Sequence, residues 1–365
     1  MITSVLAVSI NSLLFWLITF RSPANLGGYK FLMMYFAIFQ IFYAFFDFFC
    51  QPYVFSAFSA FLVFLDPMFD LPRGVVQVLD YIFIGSFSML MAMFSIHFVF
   101  RYCVVTGNKK LTSPDPLKLL IWLSIPLITG LLWITVSYTF FGESPISNGF
   151  VMYGLGEIVP YVGPVFDFRL DFQTNVHVYY GLFFTFLIGF SCFFTTFYFG
   201  FKCHFSVRAL TKDSTKSYSY KSLQAQLFYV LVAQAVIPFL FIFLPISVLT
   251  ITIMFNWSNE YYGKALTLAN AIYPLLDPIP NMLMIKTYRT ALSSWICKCK
   301  IRNQVTALPD LGQRFSENPS EQRDEKICAI GEADHSLMRL KLKPSEVMKT
   351  MVKMEKNDIR SLKYL

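Results

Sequence analysis

Residues 75–100 read VVQVLDYIFIGSFSMLMAMFSIHFVF and run directly into Arg101-Tyr102. Crossing a hydrocarbon core of about 30 Å takes about 20 mostly apolar residues in helix. This stretch is long enough, and its only charged residue is Asp80 near the start. Six more stretches of the same character accompany it: Met1–Phe20, Phe31–Pro52, Leu119–Phe141, His177–Phe199, Leu223–Met254 and Ala265–Met284. Lipid offers no partner to backbone amides, so each stretch is expected to be a helix that bonds internally. The reading is an all-α integral membrane protein, a seven-transmembrane helix bundle over residues 1–285. A juxtamembrane basic segment, 286–302, follows as a possible amphipathic helix. The tail, 303–365, has few aromatics and mixed charges, and is expected to be cytoplasmic and mostly disordered. Within it, Ser345–Met354 could form a basic helix on a membrane or partner.

The composition agrees. Hydrophobic residues make up 56% and charged residues 14%, against about 25% charged in a soluble domain. The net charge of +8 together with many aromatics could suggest nucleic acid. That reading is set aside, because the aromatics lie inside the spans and the Lys and Arg at their ends. Basic loops held against anionic lipid account for the charge better. Met1–Phe20 lacks a basic leader and is long for a signal core, so it reads as a retained first helix rather than a cleaved signal.

The basic residues sort by side. Arg21 and Lys30 occupy the first gap, Arg101, Lys109, Lys110 and Lys118 the third, and Lys202, Arg208, Lys212, Lys216 and Lys221 the fifth. Lys286, Arg289, Lys298, Lys300 and Arg302 follow the last span. The other gaps hold only Arg73, Arg169 and Lys264. The excess places the odd gaps and the C-terminus in the cytoplasm and the N-terminus outside. Asn256-Trp257-Ser258 then lies outside and makes Asn256 a glycosylation candidate, although its closeness to the membrane opposes modification. None of the seven cysteines falls in an outer gap, so no outer disulfide is expected. Cys297 and Cys299, among basic and apolar neighbours, are either palmitoylation candidates or free thiols.

Several chemistries lack their residues. The four histidines are scattered, and H-E-x-x-H, G-x-S-x-G and Walker motifs are missing, which argues against a metal site or an enzyme. No lysine lies within the seventh stretch, so a retinal Schiff base has no place, and no cofactor is expected.

The charged groups left in the spans each need a reason, since insertion costs about 2.5–3.5 kcal/mol apiece. Asp47 and Asp80 lie near outer ends and either reach interfacial water or face a ligand cavity. Asp277 lies in the inner half of the seventh stretch, within Tyr273-Pro274-Leu275-Leu276-Asp277-Pro278-Ile279-Pro280. Three prolines there remove amide donors, so the segment is expected to be a polar hinge or a static kink. Pro238 and Pro245 give the sixth stretch the same freedom. Arg101 either anchors the helix end or pairs with neighbouring inner ends and later turns to a cytoplasmic partner.

Asn25-Leu26-Gly27-Gly28-Tyr29-Lys30-Phe31-Leu32-Met33, His97–Tyr102, and Tyr273–Pro278 leading into Ile285-Lys286-Thr287-Tyr288-Arg289 resemble nematode seven-transmembrane chemoreceptors of the Str class, as does Glu157–Pro164 more loosely. The resemblance covers about residues 5–295. It implies a G-protein-coupled receptor in the plasma membrane of a sensory cilium that detects odorants or other environmental chemicals. It further implies that His97, Arg101 and Tyr102 form the end of helix three that faces a heterotrimeric G protein, and that Tyr273, Pro274, Asp277 and Pro278 form a switch on helix seven. No acidic residue directly precedes Arg101, so a lock from that position is unavailable.

The expected mechanism is a small, mostly apolar ligand entering from outside among helices 3, 5, 6 and 7 and favouring one packing over another. Asp80, Tyr81, Tyr179, Tyr180, Phe183 and Phe241 are the candidate contacts, although any of these rings could instead face lipid. The alternative is a seven-helix ligand-gated channel or transporter, which needs a continuous polar stripe through the bundle.

Overall fold

A computed structural model of the chain describes residues 2–295, except 24–25, 114, 157–158 and 167–171. The palmitoylation candidates Cys297 and Cys299, the end of the basic segment and the tail 303–365 lie outside the described residues.

The order of elements is α1 (Ile2–Arg21), α2 (Tyr29–Cys50), β1 (Pro52–Ala57), β2 (Ala60–Leu65), α3 (Arg73–Val105), the single turn α4 (Lys109–Thr112), α5 (Pro116–Phe140) and α6 (Pro145–Leu155). Then come α7 (Phe172–Lys212), α8 (Tyr218–Pro238), a π-turn (Phe239–Phe243), α9 (Leu244–Met254), α10 (Glu260–Leu276) and α11 (Ile279–Met284). Among the described residues the final helix, α12, covers 286–295. Six of the helical runs are long and apolar enough to cross a membrane, with α8, the π-turn and α9 counted as one. The seventh crossing is divided between α10 and α11, which part at Asp277-Pro278.

The expected spans are all present, several of them longer. The third crossing covers Arg73–Val105, the fifth runs on to Lys212, the sixth starts at Tyr218 and the seventh at Glu260. Lys202, Arg208 and Lys212 therefore lie on helix, and the fifth gap shrinks to the short turn before Tyr218. Helix three is the most enclosed of the long spans and packs along α5 and α7. Gly85 and Gly130 let α3 and α5 approach. A methyl on Gly85 would meet Ile134 at 2.6 Å, and one on Gly130 would meet Met89 at 2.6 Å. Small residues at such crossings let helix backbones pack where lipid gives no hydrophobic drive.

One element departs from an all-helical reading. The second gap folds as an antiparallel hairpin with Pro52 opposite Leu65 and Ala57 opposite Ala60. Its turn residue Phe58 has φ +52°, a conformation costly for a residue with Cβ. The surroundings hold it there. Phe58 and Ser258 exchange backbone bonds of 2.8 and 3.1 Å, and Ser59 Oγ donates to the Phe166 carbonyl at 2.6 Å. On the other edge Val63 and Val162 exchange two bonds of 2.9 Å. The hairpin is thus stitched to the outer loops before α7 and before α10.

Candidate functional site

Beneath the hairpin lies a cavity of about 710 Å³. Its walls come from Phe83, Phe87 and Met91 of α3, Trp133 and Ser137 of α5, and Tyr179, Phe183, Gly189 and Phe190 of α7. Phe243, Ser247, Thr250 and Met254 line the side of the π-turn and α9, and Leu266 and Asn270 that of α10. Val54, Phe61 and Val63 of the hairpin and Val162–Pro164 roof it. The lining is mainly apolar, as expected of a small-molecule site. Among its polar side chains, Thr185, Ser247 and Thr250 bond carbonyls of their own helices, whereas the Ser137 hydroxyl and the Asn270 side-chain carbonyl are buried and form no hydrogen bond. Polar groups left in this state favour a ligand that offers them a partner.

Of the expected contacts, Tyr179 and Phe183 lie in the wall. Asp80, Tyr81, Tyr180 and Phe241 do not line it. Asp80 is fully buried in the outer part of α3, and neither of its carboxylate oxygens has a hydrogen-bond partner among the described residues. Tyr81 turns to α5, its ring 5.6 Å from that of Tyr138. Tyr180, next to a wall residue, is 54% exposed. Phe241 sits in the π-turn, where the extra residue per turn shifts the facing side chains, and Phe243 takes the wall position. Asp47, at the outer end of α2, accepts a 2.7 Å bond from Ser4.

Below the cavity the seventh crossing breaks among polar side chains from three other helices. Pro278 has no amide to give the Pro274 carbonyl four residues back. Asn11 of α1 replaces it, donating to Pro274 O at 2.8 Å and to Ala7 O at 2.9 Å. Gln234 of α8 donates to the Asp277 carbonyl at 3.2 Å and to Asp277 Oδ2 at 3.1 Å. Gln40 of α2 donates to the Tyr273 hydroxyl, and both also lie at the Asp277 carboxylate. Tyr273, Pro274, Asp277 and Pro278 thus share one polar junction. Sequence reading missed Asn11, Gln40 and Gln234. Their signal was a neutral polar side chain inside an apolar span, which is weaker than a charge.

At the inner end Arg101 is 1% exposed. Its guanidinium donates to Gln224 Oε1 at 2.7 Å and to the Gln224 carbonyl at 3.2 Å. It also lies 4.8 Å from the centre of the Tyr29 ring, within reach of a cation–π attraction. The Tyr29 hydroxyl is 3.2 Å from His97 Nδ1, and Tyr102 packs edge-on to Phe199 of α7 at 5.5 Å. Arg101 thus meets a neutral partner on α8, the neighbouring inner end that the sequence left unnamed. Among the described residues it forms no salt bridge. Asn256 is exposed in a left-handed turn, whereas Ser258 of its sequon is buried against the hairpin.

A long-helix bundle with a roofed outer cavity, a broken seventh crossing and an arginine closing the third is the fold of seven-transmembrane receptors. The arrangement is similar to squid rhodopsin, with a TM-score of 0.54 at 12% identity over 87% of this chain and 86% of that one. Residues 1–293 match the family described as serpentine type 7TM GPCR chemoreceptor Str, and the chain belongs to that family. It is similar to the G-protein coupled receptor str-217 of Caenorhabditis elegans, 28% identical over 80% of this chain and 87% of that protein. It is also similar to the serpentine receptor class r-10 of the same species, 25% identical over 80% of this chain and 88% of that protein. The chain is a multi-pass membrane protein and a chemosensory receptor of the G-protein-coupled kind, and its family is one of receptors rather than enzymes.

Proposed function

We propose that the 710 Å³ cavity is the ligand site, and that it takes a small apolar molecule carrying one hydrogen-bonding group for Ser137 and Asn270. The observation that carries this is a mainly apolar chamber with those two buried polar groups unpartnered. The cavity wall includes Phe243 at the end of the π-turn. The same run of helix leads down through Gln234, at the Asp277 junction, to Gln224, at Arg101. A ligand that favours another seating of the π-turn therefore biases both inner contacts through one element. In the active packing the inner ends of α7 and α8 part, Arg101 leaves Gln224, and a heterotrimeric G protein binds there. The site of action is the plasma membrane of a sensory cilium.

Calcium or cyclic-nucleotide imaging of expressing cells against a panel of volatile ketones, alcohols and esters tests this, with a G-protein-null line as control. Active compounds should lose about ten-fold or more in potency when Met91→Trp fills the chamber. Responses that persist in the null line would overturn G-protein coupling, and unchanged potency in Met91→Trp would overturn the cavity as the site.

A further inference from the structure

The cavity is closed towards the outer end and open at its side. Its roof is hydrogen bonded on three fronts. Phe61 and Val63 donate backbone bonds to Pro164 and Val162 at 3.0 and 2.9 Å. Val54 donates to Thr267 Oγ1 at 2.9 Å. Ser56 Oγ donates to the Asn259 carbonyl at 2.6 Å and accepts from the Gly263 amide at 2.9 Å. The side wall between α7 and α9 differs. On α7, Phe183, Phe186 and Phe190 line the cavity yet are 59%, 68% and 54% exposed. Facing them on α9, Ile251 and Met254 line it and are 55% and 40% exposed. Helical spacing of three and four residues puts each set on one face. A side chain can line an interior and be open to the outside only at a slot. This slot lies at the depth of the spans, and its lips are apolar.

We infer that ligands reach the cavity sideways from the bilayer, through the slot between α7 and α9, and that the receptor is selective for molecules that first partition into membrane. This rests on the cavity being the ligand site, and it replaces entry from the water outside. Opening the roof would break several backbone bonds in one concerted motion. Passing the slot needs only rotation of Phe186, Phe190, Ile251 and Met254, and exposed side chains do this in picoseconds to nanoseconds. A bilayer concentrates an apolar molecule by transfer of its surface from water, so the entrance samples the concentrated phase.

The test uses two diazirine photoprobes of the same short alkyl ketone head on the full-length receptor in vesicles. One has a long alkyl tail and partitions into lipid, and the other is short and water-soluble. Mass spectrometry reads labelling of Met91 inside the cavity and of Leu131 on the outer face of α5, which serves as the lipid control. The tailed probe is expected to label Met91 in the wild type. Ile251→Trp and, separately, Phe186→Trp with Met254→Trp should slow that labelling about ten-fold and leave Leu131 unchanged. Ile128→Trp, exposed on α5 and outside the cavity lining, should have no effect. Met91 labelling by the tailed probe that is undiminished in both plugged receptors would overturn the lateral route. Met91 labelling by the short probe alone, unaffected by the plugs, would overturn it while leaving the cavity as the site. No Met91 labelling by either probe would overturn the cavity reading itself.

Discussion

Gln224 decides how firmly Arg101 is held. A buried guanidinium bonded to a neutral amide gains about 1.5–3 kcal/mol from the charge-assisted contact, less than a buried ion pair could offer. In the proposed mechanism this is a contact that activation can release. Gln224→Leu should raise basal signalling by about ten-fold, since it leaves Arg101 buried without its amide and favours any packing that hydrates it. Gln224→Glu should lower basal signalling. Nucleotide exchange on the G protein without odorant measures both, and an inactive Gln224→Leu receptor at normal surface levels would contradict this role. At the junction, Asn11→Leu strands the Pro274 carbonyl in the bundle. A loss of about 1–3 kcal/mol is expected, read as a lower unfolding temperature in detergent. Arg101 and the proline run stood out in the sequence because a charge or a missing amide at membrane depth needs an explanation. Their partners did not, because a glutamine or asparagine on another helix carries no address.

The hairpin shows what an element can conceal. Residues 52–65 are apolar and lie next to a span, and apolar periodicity alone does not separate a short strand from a helix end. What makes the segment a sheet is tertiary: the edges it offers are bonded by the loops before α7 and α10. Ser56 and Gly263 are the point of attachment. A methyl on Gly263 would meet the Val54 carbonyl at 2.3 Å, and Ser56 satisfies two backbone groups. Gly263→Ala should reduce surface expression severely. Ser56→Ala should cost about 1–3 kcal/mol, measured as a lower unfolding temperature, while leaving Arg101–Gln224 and basal signalling intact. The π-turn is the second such element. Pro238 and Pro245 marked flexibility, but not the π-turn between them, where the Leu244 amide bonds the Phe239 carbonyl five residues back and Phe243 rather than Phe241 faces the cavity.

For the whole molecule, the orientation follows from the loop charges, and seven crossings put the termini on opposite sides. An N-terminal tag should be reachable by antibody on intact cells and a C-terminal tag only after permeabilisation. Both tags on one side would contradict the seven-crossing bundle. The family likeness bears on the same scale, because it joins segments that are far apart in the chain into one receptor.

Chain chemistry alone determined the number of crossings, their orientation, the proline-broken seventh helix and the arginine that closes the third. Each follows from the cost of a charge or an unbonded amide in lipid, which acts locally and is written in consecutive residues. The cavity, its hydrogen-bonded roof, its open flank and the amide partners of Arg101 and Asp277 were decided by tertiary structure. They depend on which faces of separate helices meet, and in a span that is apolar all round the sequence does not distinguish a ring facing lipid from a ring facing the interior.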